Sequence, residues 1–270
     1  MASQASGSSI DRTLAILGRI PVRLSFTKLD LYEFCPFAYQ YRYVERIPVP
    51  FAPRLLVGAI VHAVLKSFFE RLRDGLRAGS AELRALHAAY WDNAPRLTPE
   101  THPDIWQAGR GLLEGFWAAN RDDLGRPVLL EARFRTRFDE ADAHTVEGVI
   151  DRVDAGDEGA EIIDYKSGPA PPELPQRHLT QLHTYALAVE REFDLRPWRL
   201  TAYFLRDNRA ISVLPDGDFA TRVAARFRQA GDRIGAEVYD PTPGPHCAHC
   251  DYKERCPYRW RESFGAGRRT

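Results

Sequence analysis

Gly148-Val-Ile-Asp151-Arg-Val-Asp154, followed closely by Ala160-Glu-Ile-Ile-Asp164-Tyr-Lys166, is the stretch on which the reading of this chain turns. Both halves read as strands, separated by the turn residues Gly156-Asp-Glu-Gly159. Side chains alternate across a strand, so Asp164 and Lys166 share a face. With so short a turn, antiparallel pairing can bring Asp151 beside Asp164. Two carboxylates held close repel, and one pKa rises unless a cation sits between them. The local charge agrees, since residues 131–168 hold eleven Asp or Glu against five Lys or Arg. A hard divalent ion, Mg²⁺ or Mn²⁺, relieves such crowding. A lysine beside it can orient a water, help deprotonate it, or stabilise charge on phosphorus. A positioned acid or base contributes about 10²–10⁴-fold. Phosphate-ester hydrolysis needs far more, so the ion must carry most of the electrostatic burden. The plain alternative for an isolated D-x-K is a surface salt bridge.

Working outward, Val128 to Phe138 and His144 to Val153 read as strands, as do Trp198 to Arg206 and Ala210 to Leu214. Gln176 to Phe193 and Phe219 to Val238 read as helices, with a loop at GPAPPELP between the Lys166 strand and the first of them. Ahead of the sheet lie helices near 55–74, 80–93 and 103–122. Thr27 to Val44 is an aromatic helical stretch that Pro36 breaks in two. The fold class is therefore mixed α/β, with a helical insertion ahead of the sheet. The domain expectation is a flexible N-terminus over 1–20 and one domain over 21–270. That domain comprises a helical part at 25–122, a sheet core at 128–238 and a cysteine-bearing tail at 240–258.

Hydrophobic residues make up 44% of the 270, enough for a sizeable core, and 27% are charged, which argues against global disorder. Lys plus Arg equals Asp plus Glu at 37 each, which excludes a wholesale polycation but leaves room for a locally basic groove. No apolar run approaches the roughly 18 residues of a membrane helix, and no secretory signal is visible, so no membrane partner and a cytoplasmic location are expected. The sequence contains no G-x-x-x-x-G-K-[ST] loop, so an ATP-driven motor within it is not expected.

The four cysteines are Cys35, far upstream, and Cys247, Cys250 and Cys256, spaced C-x2-C-x5-C. In a reducing compartment this clustering points to ligation before disulfides. Four thiolates suit zinc or an iron–sulfur cluster, and the split arrangement fits a cluster clasping two ends of a domain better than a compact zinc module. The alternative is a buried Cys35 with the triplet joined by His246 or His249. Pro36 and Pro257 can each start a helix just after a ligand.

Together these motifs resemble the PD-(D/E)XK nuclease superfamily. Within it the likeness is to the RecB-type branch, which includes the AddB nuclease domain and the CRISPR-adaptation exonucleases with an iron–sulfur cluster. The resemblance runs from about Leu24 to Tyr258. It is carried in order by Leu24-Ser25 with Tyr32 and Cys35-Pro36, Gly58-Ala-Ile-Val-His62, Gly148-Val-Ile-Asp151, Asp164-Tyr-Lys166-Ser-Gly168, Gln181-Leu-His-Thr-Tyr185 and the C-terminal cysteines. Ser167 stands where the family usually has Thr. The resemblance implies a restriction-endonuclease-like sheet flanked by helices, with an iron–sulfur clasp joining the ends.

By the same resemblance, His62, Asp151, Asp164 and the Tyr165 carbonyl hold Mg²⁺ or Mn²⁺, and Lys166 acts on the attacking water. Gln181 and Tyr185 stand at the rim of the site, with helix-to-sheet packing as their alternative. Cys35, Cys247, Cys250 and Cys256 hold a 4Fe-4S cluster, with zinc as the other occupant. Gly58 allows the helix close to the sheet. Glu131 can reach the site from the preceding strand, or pair with Arg133, Arg135 or Arg152. Asp154 suits a salt bridge. The aromatic segment 34–43 surrounds the cluster or stacks on bases. Trp106 and Trp117 arch over a channel for a strand. The implied activity is a metal-dependent deoxyribonuclease, an exonuclease on single-stranded DNA ends that uses a metal-activated water in DNA repair, recombination or CRISPR adaptation. A helicase or a CRISPR-adaptation protein is the implied partner. The alternative is a non-catalytic DNA-binding or docking subunit carrying zinc.

Overall fold

A computed structural model of the chain describes residues 20–49, 54–76, 79–92, 98–138 and 143–260. The expected flexible N-terminus falls, except for Ile20, outside the described residues, as does the tail beyond 260.

After the short strand β1 (Arg23–Leu24) comes helix α1 (Phe26–Phe34), then α2 (Pro36–Tyr39), which runs into a π-helical turn over Gln40–Val44. Ser25 caps α1, its Oγ accepting the Lys28 amide at 3.3 Å. Cys35 is extended between the two helices, and Pro36 opens α2 as its first residue. A helical arm follows: α3 (Arg54–Arg73), α4 (Ser80–Asp92) and α5 (Pro103–Asn120). The sheet then builds from β2 (Pro127–Thr136), β3 (Thr145–Ala155) and β4 (Ala160–Lys166). Helix α6 (Gln176–Phe193), β5 (Pro197–Phe204), β6 (Arg209–Val213) and α7 (Phe219–Gly235) complete it.

The strand order is β1-β3-β4-β5-β6, with β2 also paired to β3. β2–β3, β3–β4 and β5–β6 are antiparallel, while β1–β3 and β4–β5 are parallel. The parallel β4–β5 step needs a crossover, and α6 supplies it. β1 leaves no signal in the sequence, because two residues carry no period to read.

Two apolar clusters hold the layers. One joins α6 and α7 to the sheet through Ile150, Val153, Ile162, Leu187, Leu200 and Phe227, all buried. The other joins the arm to the opposite side through Phe68, Phe69, Phe116, Ile163 and Tyr165. Ile162 and Ile163 therefore serve different clusters, as alternation demands. Ile150 and Val153 lie three apart yet share one cluster, so alternation on β3 is interrupted at Asp151-Arg152.

The arm is fixed to the sheet by Arg152. Its guanidinium donates to the Asp154 carboxylate, to the Leu124 carbonyl and, at 3.2 Å, to the Tyr165 hydroxyl. It lies 4.0 Å from the Phe69 ring centre. Asp154 thus sits in a buried ion pair. Gly125, at φ 70°, passes so close that a Cβ would collide with both partners.

Candidate active site

Three elements meet at one cleft. β3 delivers Asp151, β4 delivers Asp164 and Lys166, and α3 delivers His62. The β3–β4 register pairs Arg152 with Ile163, and continuing it by one step sets Asp151 opposite Asp164. The Tyr165 amide donates to Asp151 Oδ2 at 2.8 Å, which fixes that carboxylate. Asp151 Oδ1 lies 3.4 Å from His62 Nδ1. The site therefore depends on a helix from the arm and a strand from the sheet at once.

Glu131 completes it. On β2, Leu130 pairs with Arg152 and Ala132 with Ile150, so Glu131 stands against Asp151. Its carboxylate is 4.0 Å from His62 Nδ1, not on Arg133, Arg135 or Arg152. Its backbone has φ 44°, a left-handed conformation that a non-glycine residue adopts at a cost of about 1–3 kcal/mol. Among the described residues, His62, Glu131 and Asp151 bring three ligand atoms within 4.8 Å of one another. The expected set has Asp164 in the place Glu131 takes in this trio.

Asp164 is buried, at 3% exposure. Burial and the nearby Asp151 charge push its carboxyl up to about 6, against the pull of Lys166. Its Oδ2 has Lys166 Nζ at 2.5 Å but no hydrogen bond of acceptable geometry. Burial pulls His62 down, but the hydrogen bond and charge of Asp151, with the charges of Asp164 and Glu131, raise it overall. Burial, and then Asp151, also raise Glu131. Crowded carboxylates, an oxygen without a hydrogen bond and an imidazole at bonding range fit a divalent cation by the chemistry of the donors.

Lys166 also donates to Gln181 Oε1 at 2.7 Å, and Gln181 Nε2 donates to the Tyr185 hydroxyl at 2.9 Å. Gln181 thus faces the site. Tyr185 is buried in the sheet cluster, edge-on to Phe134, and its hydroxyl is linked to the site by the hydrogen bond from Gln181. It lies in the core rather than at the rim, because α6 lies along the sheet. Tyr165 contributes its amide, while its ring lies between Arg152 and His62. Gly58 faces Ser167, where a Cβ would meet Oγ at an ordinary 3.5 Å, so packing there does not require glycine. Trp106 packs on His87, and Trp117 on Phe68. Neither borders the cleft, which is where Tyr90 lies.

A family model described as the PD-(D/E)XK nuclease superfamily matches residues 23–257. The chain belongs to this superfamily. The mixed sheet with helices on its faces is accordingly restriction-endonuclease-like. The chain is 30% identical over 289 residues to Gene 69 protein of Mycobacterium phage L5, covering 88% of this chain and 97% of that protein. It is 28% identical over 253 residues to an ATP-dependent helicase/deoxyribonuclease subunit of Desulforudis audaxviator (strain MP104C). That match covers 77% of this chain but 22% of the relative. The crystal structure of SSO0001 aligns over 93% of this chain and 95% of its own at 14% identity, with a TM-score of 0.44.

In this superfamily member the four cysteines are free thiols that line one cavity together with Phe37, Tyr41 and Tyr252. Cys35 comes from the α1–α2 junction and Cys247 from a 3₁₀ turn over Pro245–His249. Cys250 and Cys256 follow on successive turns. Burial raises the Cys250 thiol, and the neighbouring Cys35 and Cys256 raise it further. Pro257 does not start a helix; it lies in a turn. The rings of the 34–43 segment pack around this cavity, Phe37 against Tyr41 and Tyr258, and Tyr41 against Tyr252. Among the described residues, no helix is long and apolar enough to cross a membrane.

Proposed function

We infer that this protein is a divalent-metal-dependent deoxyribonuclease acting from single-stranded ends. The observation that carries the reading is the convergence of His62, Glu131 and Asp151 within 4.8 Å, beside the Asp164–Lys166 pair. His62, Glu131 and Asp151 would hold Mg²⁺ or Mn²⁺, and Asp164 and the Tyr165 carbonyl would be further oxygen donors to it. When bound, the ion supplies Lewis acidity and lowers the pKa of water.

The chain's own groups do the rest. Asp151 is held in place by the Tyr165 amide, so it does not move as charge develops. Lys166 is held by Asp164 and Gln181 and presents its ammonium to the reacting phosphate. There it orients the attacking water and stabilises the growing negative charge. Tyr185 anchors Gln181, so the lysine is positioned through two hydrogen bonds and not by its flexible stem.

The cysteine cavity supports a 4Fe-4S cluster over zinc. The thiols come from two segments far apart in the chain, Cys35 at the α1–α2 junction and the other three from the C-terminal turns, and that split suits a cluster clasping two ends better than a compact zinc module. The cluster would be structural, tying the α1–α2 junction to the C-terminal segment. Similarity to a helicase/deoxyribonuclease component supports a role in DNA repair beside a helicase partner, and a CRISPR-adaptation partner is the other candidate assembly. The test is cleavage of end-labelled single-stranded DNA by anaerobically purified protein with Mg²⁺ or Mn²⁺. Lys166→Ala should abolish cutting without lowering the unfolding midpoint. Wild-type protein that cuts nothing with either ion would overturn the reading.

A further inference from the structure

One side of the cleft holds charged and aromatic groups that the metal site does not use. Helix α3 presents Ala59, His62, Ala63 and Lys66 at i, i+3, i+4 and i+7, so all four stand on one helix face. An inward face would carry large apolar residues, but here Ala59 is exposed and Ala63 only half-buried. The two alanines leave room, and the space they border is a cavity of about 640 Å³. Across it, β2 presents Arg133 two residues beyond Glu131. Helix α4 closes the side with Tyr90, whose hydroxyl shares a 2.9 Å hydrogen bond with Ser67 Oγ.

The charges are arranged in series. The inner end of the cavity is anionic, with Glu131 and Asp151. The outer part carries Lys66 and Arg133, whose positive charge is felt at Glu131. The Arg133 side chain is exposed and, among the described residues, its guanidinium makes no hydrogen bond or ion pair. Among the described residues Lys66 pairs with Glu70 alone, at 3.7 Å, with both side chains near 40% exposed. A surface pair of that kind is weak and readily exchanged for a phosphate. Without such cations, the carboxylates would repel the polyanion they are meant to meet.

We propose that Lys66, Arg133 and Tyr90 form a subsite for one unpaired nucleotide next to the scissile phosphate, the two cations holding its flanking phosphates and the tyrosine ring taking its base. The proposal rests on the nuclease reading and deepens it, because a ring that stacks on a base accepts only a base free of its partner. It gives the preference for single strands a physical origin in the arm, away from the metal ligands.

The test is fluorescence polarisation of labelled oligothymidylate and of a labelled duplex, with Ca²⁺ present, across a range of KCl concentrations. Tyr90→Ala should weaken oligothymidylate binding by about five- to 150-fold, leave the duplex unchanged, and be rescued by Tyr90→Phe. Lys66→Ala and Arg133→Ala should each reduce the slope of log affinity against log salt by about 0.7. Glu70→Gln, which releases Lys66, should tighten binding. Unchanged affinity in Tyr90→Ala, or unchanged slopes in both cation variants at unchanged unfolding midpoints, would overturn the subsite. Wild-type protein that binds but does not cut would sink the nuclease reading and leave the subsite to be judged by the slopes. Wild-type protein that does not bind would overturn both.

Discussion

Arg152→Met should unfold this protein more readily than any single change in its catalytic cleft. Arg152 and Asp154 are 5% and 7% exposed, so the variant leaves an uncompensated carboxylate where water does not reach. Breaking a buried pair from one side costs about 3–5 kcal/mol. The guanidinium also covers the Phe69 ring at 4.0 Å, a contact worth up to about 2 kcal/mol when desolvated. Methionine keeps part of that packing and the contributions overlap, so about 4 kcal/mol is expected. Total stabilities run about 5–15 kcal/mol, so this is a large share. The assay is urea unfolding followed by tryptophan fluorescence. With a denaturant slope of about 3 kcal/mol per molar, the midpoint should fall by roughly 1.3 M. Asp154→Leu should cost a similar amount by stranding the arginine. Joining it to Arg152→Met should recover most of the loss, since an apolar pair fills the space with no orphaned charge. A single-variant loss below about 1 kcal/mol, or a double variant as poor as the sum of the two, would refute the clamp.

Glu131→Gly should relieve the φ 44° backbone and stabilise the metal-free protein by about 1 kcal/mol. Calorimetry should at the same time show Mn²⁺ affinity falling by about ten- to hundredfold; intact affinity would remove Glu131 from the site. Burial, helped by Arg110, holds His87 down to about 4 from its ordinary 6.5, and its Nε2 accepts the Trp91 indole N–H at 3.0 Å. The unfolded chain therefore binds a proton here that the folded chain refuses. Stability contributed by His87 is complete above about 6.5 and falls as pH drops towards 4, at up to about 1.4 kcal/mol per pH unit. His87→Gln keeps an acceptor without titrating, and should flatten the pH dependence of the urea midpoint in that window. Cys35→Ala should bleach the visible absorption and lower the iron content of anaerobically purified protein; unchanged colour and iron would place the cluster elsewhere.

Much of the fold is legible because its cues are local. The strands around Asp151 and Asp164 announce themselves by period and by the turn at 156–159, and their register follows from that turn's length. Pro36 marks the helix break at Cys35. The pairing of Asp164 with Lys166 on one face needs nothing beyond alternation. Tyr185 is harder: its spacing from Gln181 shows that the two project together, but not that α6 carries one into the core and the other to the cleft. Lys66, Tyr90 and Arg133 stand in no motif, although Lys66 is one helical turn from His62 and Arg133 is two residues from Glu131.

The longer helices and strands, the carboxylate–lysine strand pair and the set of four cysteines can all be read from the chain alone, because each rests on spacing within a few residues or on residue type. It takes the folded arrangement to show that Glu131 joins His62 and Asp151, that Arg152 locks the arm to the sheet, and that Cys35 meets three thiols more than two hundred residues away. These contacts depend on how α3 and the C-terminal turns pack across the sheet. The Glu131 contact depends further on a left-handed backbone at a residue whose type gives no sign of it. Long-range packing sets such geometry, and local propensity carries no record of it.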